Sequence, residues 1–280
     1  MMVISPAWKQ KSSTSDPSKY HGLSVLHPMG KLLALCYLQR LDAATLTHDW
    51  LAPEQAGFRA GHRIEDHQLL VTYLMLGAAS QRGPLALAFI DLEKAYDRIP
   101  RLTLWCVLAA ELHIPSDICS GIEVLYNKIK QCERTRGQAS ASFKVNMGVK
   151  QGCPASPRVF TLLFDRVRDF ITSHAPPGRH AYAPYLAMLA SFILLYADDV
   201  ALLTDTPDCL QLLLHAFVHF ADANGMRISQ DKTQVLLCSP HPPTTPLTCQ
   251  GHALSFTDRY HYLGQEVYIS PNLLHDLATT

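Results

Sequence analysis

The 280-residue chain lacks a charge of either sign in excess: Lys+Arg and Asp+Glu both number 24. Bulk electrostatics therefore give no case for a nucleic-acid or membrane partner, and any such partner must be argued from a site. The eight cysteines form no C-x-x-C pair. That excludes a zinc knuckle or disulfide framework and points to reduced thiols in an intracellular protein. No apolar run can span a bilayer: the longest, Tyr185 to Ala197, is shorter than the roughly 20 residues a membrane helix needs and ends on two aspartates. The first 20 residues have no signal-peptide core. There is no internal repeat, no G-x-x-x-x-G-K-[ST] phosphate loop and no G-x-S-x-G nucleophile elbow. His215 and His219 lie four apart with neither the Glu of H-E-x-x-H nor a third ligand, so they read as an ordinary helix pair, as do His62 and His67 in GHRIEDH.

What the chain has is apolar material: 48% of its residues are hydrophobic, enough to bury the core of one large domain or two small ones. Residues 8–20 are polar and read as a loose arm. KLLALCYLQRL (31–41) and DHQLLVTYLMLGAA (66–79) have helical spacing. After the Gly83-Pro84 break, LALAFI (85–90) reads as a buried strand ending at Asp91. Pro100 opens a helix with Leu102, Trp105, Leu108 and Leu112 facing inward. Ser156-Pro157 caps another, whose apolar face runs from Val159 to Ile171. Thr206-Pro207 starts a third, which ends at Gly225. TQVLLC (233–238) reads as a strand and HPPTTP (241–246) as a loop. This order predicts an α+β fold: a mostly antiparallel sheet with helices on one face.

FILLYADDVALL (192–203) poses a chemical question, because it sets Asp198 and Asp199 between two strands that belong in a core. An unpaired buried carboxylate is costly. A solvated turn is one answer, since Asp is common in turns. The other comes from Asp91 at the end of its own strand. If the strands are neighbours, Asp91 and Asp198 converge, and paired carboxylates with hard oxygen ligands suit magnesium and two-metal phosphoryl chemistry.

Five segments in order carry a family resemblance: AFIDLEKAYDRIP (88–100), GVKQGCPASPRVFTLLFD (148–165), LLYADDVALLT (194–204), NGMRISQDKTQVLLCS (224–239) and RYHYLGQEV (259–267). They resemble the palm motifs of reverse transcriptases from non-LTR, LINE-type retrotransposons. HGLSVLHPMGKLLALCYLQRL (21–41) and LAPEQAGFRAGHRIEDHQLL (51–70) look like the fingers segments of the same family. The resemblance implies a right-hand polymerase palm with partial, largely helical fingers. The implied division is an arm at 1–19, fingers at 20–84, palm at 85–239 and a primer-grip-like hairpin with a short C-terminus at 240–280. It further implies an RNA-directed DNA polymerase acting on an RNA template, a DNA primer and deoxynucleoside triphosphates, with no membrane partner. Two magnesium ions, replaceable by manganese, would lie at Asp91, Asp198 and Asp199.

Residue by residue, Tyr96 would be the steric gate against a ribose 2′-hydroxyl, unless it is simply a core aromatic. Gln151 and Gly152 would pack along nucleotide and template, and Lys232 would neutralise or protonate the leaving pyrophosphate. Without the motif, Lys232 would read as a surface lysine. Tyr262, Leu263 and Gly264 resemble the primer grip, while Phe58 and Arg59 match a loop contacting template or nucleotide and could equally be an ordinary loop. Tyr20-His21-Gly22 stands where the family has Tyr-Arg before a Gly, and histidine lacks arginine's fork. Ser229, Gln234 and Ala155 also depart from the pattern, but none removes a metal ligand.

Little chain follows the hairpin for a thumb, and no endonuclease counterpart precedes it, so a fragment is expected. The family's lifestyle implies a nuclear or cytoplasmic location. Two alternatives are a folded, non-catalytic remnant that at most binds nucleic acid, and another palm-fold enzyme such as a nucleotide cyclase. The cyclase would lack QGxxxSP and YLG, and both occur here.

Overall fold

The computed structural model describes residues 2–8, 20–81, 83–127, 131–135, 138–174, 192–238 and 245–269. Along the chain, β1 (Met2–Trp8) and β2 (Tyr20–Val25) precede α1 (Pro28–His48) and α2 (Ile64–Gln81). Then come β3 (Leu85–Ile90), one-turn α3 (Ala95–Arg98), α4 (Arg101–Cys106) with a π-helical continuation over Val107–Glu111, and α5 (Ser116–Asn127). β4 (Gln131–Thr135), β5 (Gln138–Ala139), α6 (Ser156–Phe164) and α7 (Arg166–His174) follow. The hairpin β6 (Ile193–Tyr196) and β7 (Asp199–Thr204) leads to α8 (Pro207–Ala223) and β8 (Gln234–Cys238). Short strands β9 (Thr248–Cys249), β10 (His252–Ala253) and β11 (Ser255–Thr257) come before the hairpin β12 (Arg259–Tyr262) and β13 (Gln265–Tyr268).

These elements form two compact units, Met1–Leu51 with Lys94–Leu163 and Ala52–Glu93 with Phe164–Thr280. The first holds a four-stranded sheet, β2-β1-β4-β5, in which β1 runs antiparallel to β2 and parallel to β4. Residues 2–8 are therefore not part of a loose arm: Val3–Trp8 pair with β2, and Met2–Ile4 pair with β4. Residues 9–19 and 241–244 lie outside the described residues.

The second unit is built on a five-stranded sheet, β11-β8-β3-β7-β6, antiparallel except for β11 against β8. β3 is central, and all six of its residues are buried, so both its faces need cover. Leu85, Leu87 and Phe89 share a core with Val71, Leu74 and Ala78 of α2 and with Tyr262 and Val267 of the β12–β13 hairpin. α8 packs on β3 and β7, placing Leu210, Leu213, Leu214 and Phe217 inward at helical spacing. Helices therefore cover more of the sheet than the single face expected. α8 begins as its sequence dictates: the Thr206 hydroxyl accepts from Cys209 N at 3.2 Å, Pro207 takes the first turn, and Gly225 leaves it at φ +65°.

Three local expectations need correction. Leu102 is 77% exposed, and the buried face of α4 is instead Arg101 and Leu104. The helix expected to run through Ile171 breaks at Asp165, whose buried carboxylate accepts from Ala52 N and Gln55 Nε2, both at 3.0 Å. Ser156 is already helical, and its hydroxyl is hydrogen-bonded to the Tyr126 hydroxyl at 2.6 Å.

Candidate active site

The site of the second unit is assembled at one end of its sheet. β3 pairs with β7 up to Ile90↔Val200, so Asp91 and Asp199 occupy neighbouring strand ends just past the last rung. Asp198 lies in the two-residue turn between β6 and β7. The three carboxylates feel one another. Burial raises the Asp198 pKa above the usual carboxylate range, the Asp91 charge adds to it, and Lys232 opposes. Burial followed by the charges of Asp198 and Asp91 pushes Asp199 up to about 6.

Asp91 is held by the chain that follows α8. Its carbonyl accepts from Ser229 N at 2.8 Å, and its N–H donates to the Thr233 hydroxyl at 3.3 Å. Lys232 Nζ lies across the carboxylate itself, 2.9 Å from Oδ1 and 3.1 Å from Oδ2. A lysine expected near a triphosphate thus sits on the first aspartate.

The turn has its own support. Ala197 has φ +56°, a left-handed conformation that costs a non-glycine residue of order 1 kcal/mol. Gln55, fully buried, holds it: Oε1 accepts from both Ala197 N and Gly57 N at 2.8 Å, while Nε2 donates to Asp165 at 3.0 Å. Ala56 N donates to Leu195 O, extending β6 with a short parallel bridge. Gly57 must be glycine, because a Cβ there would lie 2.2 Å from Ala197 N.

The β12–β13 hairpin turns on Leu263-Gly264, both at positive φ as a two-residue hairpin loop requires. Gln68 Nε2 fastens it by donating to Leu263 O at 2.8 Å. The buried Tyr262 reaches His67 Nδ1 at 3.4 Å. Tyr260 stacks on Phe89 with centroids 4.3 Å apart, and burial plus the charges of Asp91 and Asp199 push its phenol up to about 12. Sequence reasoning passed over Tyr260 and Gln55. Tyr260 could have been found from its place two residues before Tyr262, which sets both on one strand face. Gln55 carried no local signal.

The remaining expected residues are placed as follows. In the second unit Phe58 is exposed at φ +57°, and Arg59 donates to Ala52 O at 2.8 Å. In the first unit Tyr96 stacks on Phe160 at 4.3 Å, and its carbonyl accepts from Val149 N at 2.7 Å. Gln151 O accepts from Ser24 N at 2.7 Å. Gly152, at φ +103°, would place a Cβ 2.7 Å from Ser24 O. The close approach that it permits is therefore to the chain's own β2. His215 and His219 are exposed on α8. Among the described residues, no three His, Cys, Asp or Glu side chains are gathered tightly enough to grip an ion as they stand, and no helix is long and apolar enough to cross a membrane. All eight cysteines are free thiols.

Comparison with known proteins gives the class first. The fold resembles that of a telomerase from Candida tropicalis (TM-score 0.57, 13% identity, 85% of this chain and 43% of that one). It also resembles a telomerase from Candida albicans (TM-score 0.51, 15% identity, 86% of this chain and 36% of that one). The fold is α+β, of the polymerase palm-and-fingers kind. The pattern of the family described as reverse transcriptase (RNA-dependent DNA polymerase) matches residues 9–267, and the chain belongs to that family. It is 25% identical to the RNA-directed DNA polymerase from mobile element jockey of Drosophila funebris, over 94% of this chain and 28% of that protein. It is likewise 25% identical to a Pol polyprotein from a type-2 retrotransposable element of Drosophila melanogaster, over 89% of this chain and 23% of that protein. The chain thus spans about a quarter of the length of these relatives.

Proposed function

We propose that the chain is the catalytic core of an RNA-directed DNA polymerase. It would join a primer 3′-hydroxyl to the α-phosphorus of a deoxynucleoside triphosphate on an RNA template and release pyrophosphate. The observation that carries this is the meeting of Asp91 with Asp198 and Asp199 at one sheet end, with Lys232 on Asp91. The donor set fits hard divalent cations: the side chains are carboxylates, and their mutual repulsion is a shortage of positive charge. Two magnesium or manganese ions held by Asp91, Asp198 and Asp199 would supply charge neutralisation at the attacking and leaving oxygens.

The chain's own residues do the rest. Lys232, released from Asp91, would place its ammonium against the leaving phosphates. Tyr96 would exclude the ribose 2′-hydroxyl, Gln151 and Gly152 would line the nucleotide and template, and Arg59 and Phe58 would touch nucleotide or template. Tyr262, Leu263 and Gly264 would guide the primer end. On this reading the palm is built on β3, β6, β7 and β8, the four strands of that sheet within 85–239, and the segment 94–163 is an insertion that folds with the first unit.

The test is extension of oligo(dT) on poly(rA) with magnesium. Extension by the wild type, abolished in Asp198→Asn, supports the reading. Folded wild-type protein that does not extend, or a variant that extends equally well, overturns it.

A further inference from the structure

The first unit contains a cavity of about 210 Å³ bounded by β2, β4 and the chain between Val145 and Gln151. Two cations line it that are almost wholly buried, Arg101 at 5% exposure and Lys150 at 3%. Neither forms an ion pair with a carboxylate among the described residues. Arg101 spends Nε on Gly148 O and Nη1 on the carbonyls of Tyr126 and Val145. Lys150 Nζ donates to Leu125 O, and both cations flank the Tyr126 ring. Buried charge compensated only by carbonyl dipoles and a ring face is costly. The fold maintains it next to open space.

Two further polar side chains line that space, Gln131 at 3% and Ser24 at 9% exposure. Arg101 Nη2 is a further donor beside the committed Nε and Nη1. A wall of buried cations and neutral donors favours a ligand that accepts. Asp97 also lines the cavity, with an exposed side chain.

We propose that this cavity binds a phosphate-type oxyanion, with Arg101 Nη2, Lys150, Gln131 and Ser24 as donors. A guanidinium N–H beside an ammonium, with neutral N–H and O–H donors, suits phosphate oxygens, which accept charge-assisted hydrogen bonds. The phosphate can come from a free anion or from the backbone of a nucleic-acid strand. The four donors carry no role in the polymerase reading, although Gln151, which does, also lines the cavity.

The test is calorimetric titration of the whole chain with inorganic phosphate, then with a short single-stranded RNA. Gln131→Leu and Ser24→Ala serve as variants, since both side chains line the cavity. Saturable phosphate binding that weakens at least about tenfold in Gln131→Leu, the worth of one hydrogen bond to a charged group, supports the site. RNA that competes with phosphate assigns it to a strand; RNA that does not assigns it to a free anion, and both uphold it. No saturable binding, or equal binding by both variants, leaves the cavity filled by water and overturns the proposal.

Discussion

The Lys232 ammonium bridges both oxygens of Asp91, at 2.9 and 3.1 Å, and so occupies the place a cation would take on the first carboxylate. Its side chain is 67% exposed. An exposed pair of this kind contributes little to stability, so the contact matters for the site rather than the fold. Lys232→Met should leave the urea midpoint within the change expected of about 0.5 kcal/mol. It should bind magnesium more tightly, read as a larger magnesium-induced rise in Tm, because no ammonium must be displaced. It should also extend primers more slowly. A variant that binds magnesium more weakly would show that the lysine assists the cation instead of standing in for it.

Asp199 couples stability to chemistry with opposite signs. Its pKa is raised from 3.8 to about 6, first by burial and then by Asp198 and Asp91. The folded chain therefore holds that proton more tightly than the unfolded one. The group's contribution to stability is complete below about 3.8 and is lost as pH rises through about 6. Asp199→Asn should accordingly raise Tm at pH 7.5 in a chelator while impairing primer extension, and the gain should vanish near pH 4. Equal Tm for both proteins at pH 7.5 would mean that the carboxylates do not repel as described.

The sheet and the carboxylates were legible because their signals are local. LALAFI and the two halves of FILLYADDVALL each carry strand character on their own, and Thr206-Pro207 writes its helix start in adjacent letters. What escaped is non-local. Met2–Trp8 contains Pro6 and shows no alternation, and it is a strand because β2 and β4, distant in sequence, pair with it. The apolar period through Val167 and Ile171 hid the break at Asp165, which exists because Ala52 and Gln55 draw that carboxylate inward. Gln55 and Ala197 are 142 positions apart, and nothing in either segment names the other.

Gln55 is the support on which the Asp198 turn depends. Replacing it with Leu leaves the N–H groups of Ala197 and Gly57 and one oxygen of Asp165 without their partner, at about 1–3 kcal/mol for each buried group. Gln55→Leu should therefore destabilise the chain by more than about 3 kcal/mol. Gln55→Glu keeps the acceptor for both N–H groups but sets a carboxylate against Asp165, and should also destabilise. If Gln55 positions the turn, any folded Gln55→Leu protein will lose turnover with the KM for nucleotide little changed. Loss confined to KM would place its role in binding instead.

His67 makes the second unit sensitive to acid. Burial lowers its pKa from 6.5 to about 4, against a weaker upward pull from Asp66. The ring lies beneath the β12–β13 hairpin, within 3.4 Å of the Tyr262 hydroxyl and edge-on to Tyr196. The folded chain keeps it neutral, whereas the unfolded chain takes up a proton near 6.5. Its contribution to stability is therefore full above about 6.5 and is lost as pH falls through about 4. This is the reverse of Asp199, and the two titrations overlap between about 4 and 6. His67→Gln removes the proton uptake and should flatten the acid limb of a Tm-against-pH curve below 6.5, while the Asp199→Asn curve keeps it. Should both variants keep the wild-type acid limb, proton uptake by His67 is not what loosens the hairpin.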